Sequence, residues 1–449
     1  ELMPKLKAYY NKYHKDGLEV FAYTSDWSTD GGEDALTVIK REGYDKWYNF
    51  IVEDVRDDFF YGGTAFFYAA AVPVANVIDS EGKLIWSSLE AVDPVERRFS
   101  HIASSELIPF LETLFGPLSD ADTEYSSTDY SMDGRVTTIQ KASVGNGINI
   151  VFMGDGYTDR DISSNYYNYI MSLAADEFFA IEPYKSLRNR FNIYAVNVVS
   201  KNGMCGPGFE TALGSGFGGG TYVEGDLDKC YEYAMKVPGI NSRDNLVIPV
   251  IVNTPRSCGT TFMDEPTQSA VAFYSNGGIN DPVLFGHTLR HEAGGHGFGF
   301  LSDEYITSSS TIPEAVIKQY KDQWEKYGWW ANVDFTSDPS RIKWSKFLTD
   351  DRYKSEVGIY EGGATYRYGA WKPTANSMMN ENLEYFNAPS REAIYKRIME
   401  LSGEGYSFEK FLEYDAINRT SAAKGTARPP LKAAARGEKQ YGAPPVVIR

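Results

Sequence analysis

Apolar positions along the chain gather into short runs bounded by turn residues, and these runs alternate with stretches of helical spacing. Near the start, Leu18–Tyr23 and Tyr48–Glu53 predict strands, with helical patterns at Glu33–Arg41 and Thr64–Ala71. Val72–Asp79 then passes through Ser80-Glu81-Gly82-Lys83 into Leu84–Trp86. Two apolar segments joined by turn chemistry predict a hairpin. A helix over Ser104–Phe115 completes this first unit. Residues 118–137 hold Ser, Asp and Thr with few apolar side chains and read as a linker. Beyond it, Ile148–Gly154, Phe191–Ser200 and Asn245–Asn253 predict three strands, Ser163–Phe179 a helix, and Gly203–Gly220 a long glycine-rich loop. Strands alternating with helices point to an α/β or α+β catalytic domain. The chain past Asn418 is basic and rich in Pro and Ala, which predicts an extended tail laid on the surface. The expected division is therefore a domain over 1–117, a linker over 118–137, a catalytic domain over 138–420 and a tail over 421–449.

Length and charge narrow the function classes. At 449 residues the chain is long enough for two or three domains. Its formal net charge of −17 repels nucleic acid and anionic lipid, so neither is an expected partner. No run approaches the ~18 consecutive apolar residues of a membrane-spanning helix. The opening ELMPKLKAYYN reads as a polar helix start and not as a signal peptide, which suits a cytosolic protein or one whose targeting segment has been removed. Cys205, Cys230 and Cys258 show no metal-ligand spacing and allow one disulfide or none.

Histidine carries the clearest chemical signal. Of five in the chain, three fall within ten residues: His287, His291 and His296, in GHTLRHEAGGHGFGFLSDEY. A catalytic zinc takes three protein ligands, usually imidazoles with a carboxylate, and keeps a fourth position open. It also needs a carboxylate beside the attacking water to take its proton. Glu292, directly after His291, is placed for that base. A helix brings two imidazoles to one face at a spacing of four, whereas His291 and His296 are five apart. At ~100° per residue a regular helix would turn them ~140° away from each other. Two arrangements rescue a metal site. A π-type turn at Gly294-Gly295 would absorb the extra residue, since such turns gather at functional sites and glycine lowers the cost of distorted backbone. Otherwise His287 and His291, four apart, are the ligand pair. The first is preferred, because the chain leaves the helix through Gly297 and Gly299 and reaches adjacent carboxylates at Asp303 and Glu304. In zinc peptidases whose helix breaks at glycine, the third ligand follows the break. Asp303 is taken as that ligand, with Glu304 as the alternative.

The run HEAGGHGFGFLSDEY resembles the signature of the M64 peptidases, the family named for immunoglobulin A peptidase, with one glycine inserted between the histidines. Ile150–Thr158, Glu182-Pro183-Tyr184 with Phe191–Tyr194, Tyr366–Met379 and Phe411–Arg419 are similar to further stretches of that family, so the resemblance spans roughly 145–420. It implies a zincin- or metzincin-like catalytic domain with Zn2+ held by His291, His296 and Asp303. Glu292 is the implied catalytic base, Met378 stands in a methionine-containing turn beneath the metal, and Tyr305 and Tyr366 are candidates for contact with substrate or oxyanion. It also implies a secreted or cell-envelope enzyme acting on host or dietary protein. The first unit resembles the thioredoxin fold, because VPVANVIDSEGKLIW is similar to that family's cis-proline strand and hairpin. Tyr23–Gly31 falls where thioredoxins carry W-C-x-x-C, and Ser28 and Gly31 stand at the cysteine positions. Without its thiols a dithiol couple cannot run, which implies a docking or structural role.

Plainer readings stand beside some of these. Asp155 binds metal or substrate, or caps the helix after its strand. Tyr305 lines the substrate site or packs in the core, and Met378 and Met379 suit a core equally. His287 is a ligand or a packing residue. No histidine near Cys258 marks it as a nucleophile, and GPGFETALGSGFGGG lacks the Gly-Lys-Ser/Thr ending of a phosphate loop. The expected function is a zinc-dependent endopeptidase that hydrolyses peptide bonds through a metal-bound water activated by Glu292, with a protein or peptide as its partner. The alternative is a catalytically inactive peptidase-fold binding protein, an adhesin or a protein- or glycan-binding surface module.

Overall fold

A computed structural model describes residues 2–13, 17–25, 39, 47–52, 75–93, 98–101, 106–116, 125–206, 209–254, 256–277, 282–381, 383, 385–419 and 443–448. The chain divides into two units, Glu1–Tyr125 and Ser126–Arg449.

In the first unit Phe21–Ser25 pairs in parallel with Tyr48–Val52, and Asn76–Ile78 pairs antiparallel with Leu84–Ser87. Asp79 Oδ1 accepts the backbone N–H groups of Glu81 and Lys83 and so closes the predicted hairpin. Tyr9 from helix Leu2–Tyr13 packs with Leu107, Ile108 and Leu111 of helix Leu107–Phe115. The helical patterns at 33–41 (Ile39 excepted) and 64–71 lie outside the described residues, as do Val72-Pro73, Ser28 and Gly31. The elements that are described do not establish the thioredoxin-like arrangement.

A seven-stranded mixed sheet organises the second unit. Its strands are β1 (Val136–Gln140), β2 (Ile148–Asp155), β3 (Phe191–Val196), β4 (Val247–Val252), β5 (Gly259–Asp264), β6 (Ser269–Ser275) and, far along the chain, β7 (Val446–Ile448). They lie in the order β7-β5-β6-β4-β2-β3-β1. The strands β6, β4, β2 and β3 are parallel. Antiparallel β5 and β1 flank them, and β7 runs parallel to β5. Every residue of β4 and β6 is buried, because a central parallel strand is covered on both faces. Successive residues serve opposite faces: Ile150 and Phe152 pack into one core, Val151 and Met153 into another. Helices α1 (Tyr166–Phe178), α2 (Pro282–Leu289) and α3 (Ala388–Ser402) cover the first face. Helix Leu227–Ala234 and the loop carrying Cys205 and Leu213 cover the second.

Two described stretches make contacts that their composition does not announce. The polar residues before β1 are tied down: Ser127 donates its hydroxyl to Ser200 O at 2.6 Å, and Asp133 Oδ1 accepts the Val199 N–H at 2.9 Å. Their side chains bond a neighbouring backbone instead of burying apolar surface, so composition alone reads them as linker. Within the tail, Val446–Ile448 joins the sheet as β7, three β-branched residues taking up the open edge of β5. No helix among the described residues is long and apolar enough to cross a membrane. Cys205, Cys230 and Cys258 are buried and unbridged.

A candidate metal centre on a π-helical stretch

Helix α2 continues into a π-helical stretch, Arg290–Phe298, buried along its whole length and packed against β6, β5 and β4. Sequence spacing asks for one wide turn at Gly294-Gly295, and the wide form extends over the entire stretch. Packing is tight around both glycines. A Cβ on Gly295 would stand 2.2 Å from Met379 Sδ, while the Tyr184 hydroxyl reaches Gly294 O at 2.6 Å. Hydrogen bonds closing over five residues bring side chains five apart onto one face. His291 and His296 accordingly face each other, with Nε2 atoms 3.1 Å apart.

Past Gly299 the chain turns through Phe300, held at φ 48° with its ring stacked on Trp329 at 4.5 Å. That turn delivers Asp303. Its Oδ1 lies 3.1 Å from His291 Nε2 and 3.2 Å from His296 Nε2. Each imidazole is oriented from behind by a backbone carbonyl: His291 Nδ1 faces Met378 O at 3.1 Å, and His296 Nδ1 faces Leu301 O at 2.7 Å. A carbonyl only accepts, so each Nδ1 carries the proton and each Nε2 presents a lone pair. With both rings neutral, as metal ligands must be, two lone pairs and a carboxylate oxygen converge, and a metal cation, or a proton in its absence, relieves that repulsion. Donor atoms of a tetrahedral zinc, at bonds of ~2.0–2.1 Å, stand about 3.3 Å apart. The separations of 3.1–3.2 Å here fit a metal ion held by His291, His296 and Asp303.

The titration of these groups reflects the same demand for positive charge. Burial pulls His291 down, but the hydrogen bond and charge of Asp303, with Glu292, raise it to about 9. Burial works against ionisation of Asp303, yet the two histidines outweigh it and hold its carboxyl below the usual range.

Glu292 is fully buried beside this group, and Thr261 of β5 donates its hydroxyl to Oε2 at 2.7 Å. Its Oε1 faces Gly259, where a Cβ would come within 2.7 Å, so glycine at the head of β5 leaves room for the carboxylate. Burial pushes the Glu292 carboxyl up, while His291, His296 and the Thr261 hydroxyl restrain the rise. Sequence reasoning missed Gly259 and Thr261, since nothing local links GTTFMD to a residue some thirty positions on.

Residues 137–352 match the family model of IgA Peptidase M64. The chain carries an M64 peptidase domain. The family is one of peptidases, hydrolases that act on protein or peptide. A comparison with curated proteins finds no match for this chain. His291, Glu292, His296, Asp303 and Tyr305 all lie within the matched M64 segment, whereas Tyr366 and Met378 lie past it.

Glu304 stands outside the converging group. Its buried carboxyl accepts from Asn332 Nδ2 at 2.9 Å and from Asn387 Nδ2 and Ser377 Oγ at 2.7 Å each. Its N–H donates to Met379 O at 2.7 Å. Glu304 therefore ties the Asp303 loop to the turn whose Met378 carbonyl orients His291. Met378 itself is fully buried in the core. Tyr305 is buried, its ring nearly parallel to that of His291 at 6.2 Å. Tyr366 is half-buried and packs with Ile312, Val333, Ala364 and Ala370. His287 is half-buried on α2 and is not part of the converging group.

Asp155 anchors the glycine-rich loop. It accepts from the Ser200 and Thr211 hydroxyls and from the N–H groups of Leu213 and Ser215. The helix after β2 is capped by Thr158 and Asp161 instead.

Proposed function

We propose that this M64 domain is a zinc-dependent endopeptidase with His291, His296 and Asp303 as ligands and Glu292 as general base. The observation that carries the reading is the convergence of two Nε2 atoms and one carboxylate oxygen, each ring fixed by a carbonyl behind it. Two imidazoles and one carboxylate suit zinc better than calcium or magnesium, which take oxygen ligands. A bound zinc ion supplies Lewis acidity, making water more acidic and a carbonyl more electrophilic. The protein's part is positioning and proton transfer. Thr261 fixes Glu292 Oε2, and Oε1 is buried with no hydrogen-bond partner among the described residues, which leaves it to take a proton from the attacking water. Burial raises the proton affinity of Glu292, as a base that later hands its proton to the leaving amine requires. Tyr305, stacked near His291, and Tyr366 are the side chains we assign to substrate or oxyanion contact.

The convergent donors weigh against a metal-free binding module. Elemental analysis of the purified protein and of a Glu292→Ala variant, with both assayed on unfolded casein, tests the proposal. One zinc per chain in each, with cleavage lost in the variant, supports it. Absence of zinc after incubation with the metal sinks it. The secreted or cell-envelope location that the family implies is checked by fractionating cells that express the protein.

A further inference from the structure

Strand β5 borders the candidate site, and its residues alternate in what they face. Gly259 and Thr261 meet Glu292, and Met263 packs with Phe300 and Trp329, all on the π-helical side. Phe262 packs on the opposite side of the sheet. A strand in this position offers a row of N–H and C=O groups to any extended chain.

Apart from the Gly259 N–H, which donates to Thr221 O at 3.0 Å, that row is met by residues 443–448. Ala443 donates its N–H to Gly259 O at 2.8 Å. Val446, Val447 and Ile448 then pair with Phe262, Met263 and Asp264, and the Glu265 N–H donates to Ile448 O at 3.0 Å. Val447 packs beside Met263 and Trp329, whereas Val446 and Ile448 pack on the other face. Main-chain bonds to an edge, with side chains seated alternately on its two faces, are how a peptide is recognised by strand addition. The sequence suits that role: Ala443-Pro444-Pro445 is held extended by its prolines, and Val446-Val447-Ile448 is β-branched throughout. Ala443 is bonded to the very residue whose missing side chain makes room for Glu292 Oε1.

His291, Glu292, His296 and Asp303 are each 1% exposed or less with the segment in place. A polypeptide reaches them only if something moves, and a three-residue ladder with one hydrogen bond at each end is a small thing to displace. We propose that residues 443–448 are a tethered occupant of the polypeptide-binding edge of β5, competing there with an extended polypeptide substrate. The proposal rests on the peptidase reading above.

The test compares the zinc-loaded full chain with a chain ending at Gly442 and with full-length Ala443→Pro, which loses the N–H that bonds Gly259 O. Kinetics on unfolded casein are expected to show KM falling about tenfold with kcat unchanged, the change for a segment docked nine parts in ten. The synthetic peptide Ala-Pro-Pro-Val-Val-Ile is expected to inhibit the shortened chain competitively. A labelled copy of it, followed by fluorescence anisotropy, is expected to bind the shortened chain and to be displaced by casein, a readout that needs no catalysis. If the shortened chain fails to fold by circular dichroism, Ala443→Pro and its KM decide. Cleavage with KM unchanged in folded variants, or a peptide that casein does not displace, overturns the competition and leaves the peptidase reading intact. Displacement without cleavage by any form shows that the edge is shared and removes the peptidase reading instead.

Discussion

His291 and His296 are five residues apart in sequence, yet their Nε2 atoms are 3.1 Å apart and both face Asp303 Oδ1. Within the wide helical turn that permits this, Gly295 lies against the end of the Met379 side chain. Alanine at 295 would drive its Cβ to 2.2 Å from Met379 Sδ, inside a fully buried cluster. Overpacking of that kind costs about 1–3 kcal/mol. Gly295→Ala is expected to lower the thermal midpoint and to weaken zinc retention in a chelator titration. Gly294→Ala should do so less, since its Cβ would meet Tyr184 Cε2 at 3.3 Å.

Burial raises the Glu292 pKa, and Thr261, after His291 and His296, is one of the groups that restrain the rise. Its hydroxyl donates to the ionised carboxylate, and this bond lowers the Glu292 pKa against the rise imposed by burial. Thr261→Val removes the donor at nearly constant volume, so the Glu292 pKa rises further. A base acts only when deprotonated, and the acid limb of kcat/KM should therefore move to higher pH, with little change on the plateau and unchanged zinc content. A pH profile with an unmoved limb would show that Glu292 is not the group titrating there.

Glu304 clamps two loops by accepting from Asn332, Asn387 and Ser377. Glutamine in its place turns an amide toward at least one of these donors, and a buried unsatisfied group costs about 1–3 kcal/mol. Glu304→Gln should lower stability and, by loosening the Met378 carbonyl behind His291, reduce zinc affinity. Chelator competition and thermal unfolding measure the two effects together. Full zinc affinity in a destabilised variant would separate the clamp from the metal site.

In metal-free protein, burial lowers the His291 pKa, but Asp303 and Glu292 raise it to about 9, above the ordinary value of 6.5. Protonation then favours the folded state. The gain is complete below ~6.5 and is lost as pH rises through about 9, because the folded chain binds the extra proton over that window. The thermal midpoint of chelator-treated protein should fall across this range. Zinc-loaded protein should not show the fall, since the ion meets the same demand for positive charge.

Legibility from sequence followed the range of the interactions. The strands β2, β3 and β4 are continuous apolar runs, and their burial on both faces makes that composition necessary. The converging group was legible because His291, His296 and Asp303 lie within thirteen residues, and the paired glycines announced how a spacing of five could close. β5 was not legible, since Gly259, Thr260 and Thr261 are small and polar where a strand reading looks for apolar alternation. β7 was read as part of a surface tail, because three apolar residues carry little weight without the edge they dock on.

By itself, then, the sequence determined which donor types meet and in what order, together with the backbone freedom that lets them meet. Tertiary structure alone decided that Asp303 turns toward the histidines while Glu304 is held by residues 28, 73 and 83 positions away. It also decided which carbonyls fix the two rings and that Thr261 and Gly259 frame Glu292. The reason is physical: backbone preference and side-chain spacing act over a few residues, whereas the orientation of a buried polar group is set by whichever distant atoms must satisfy it.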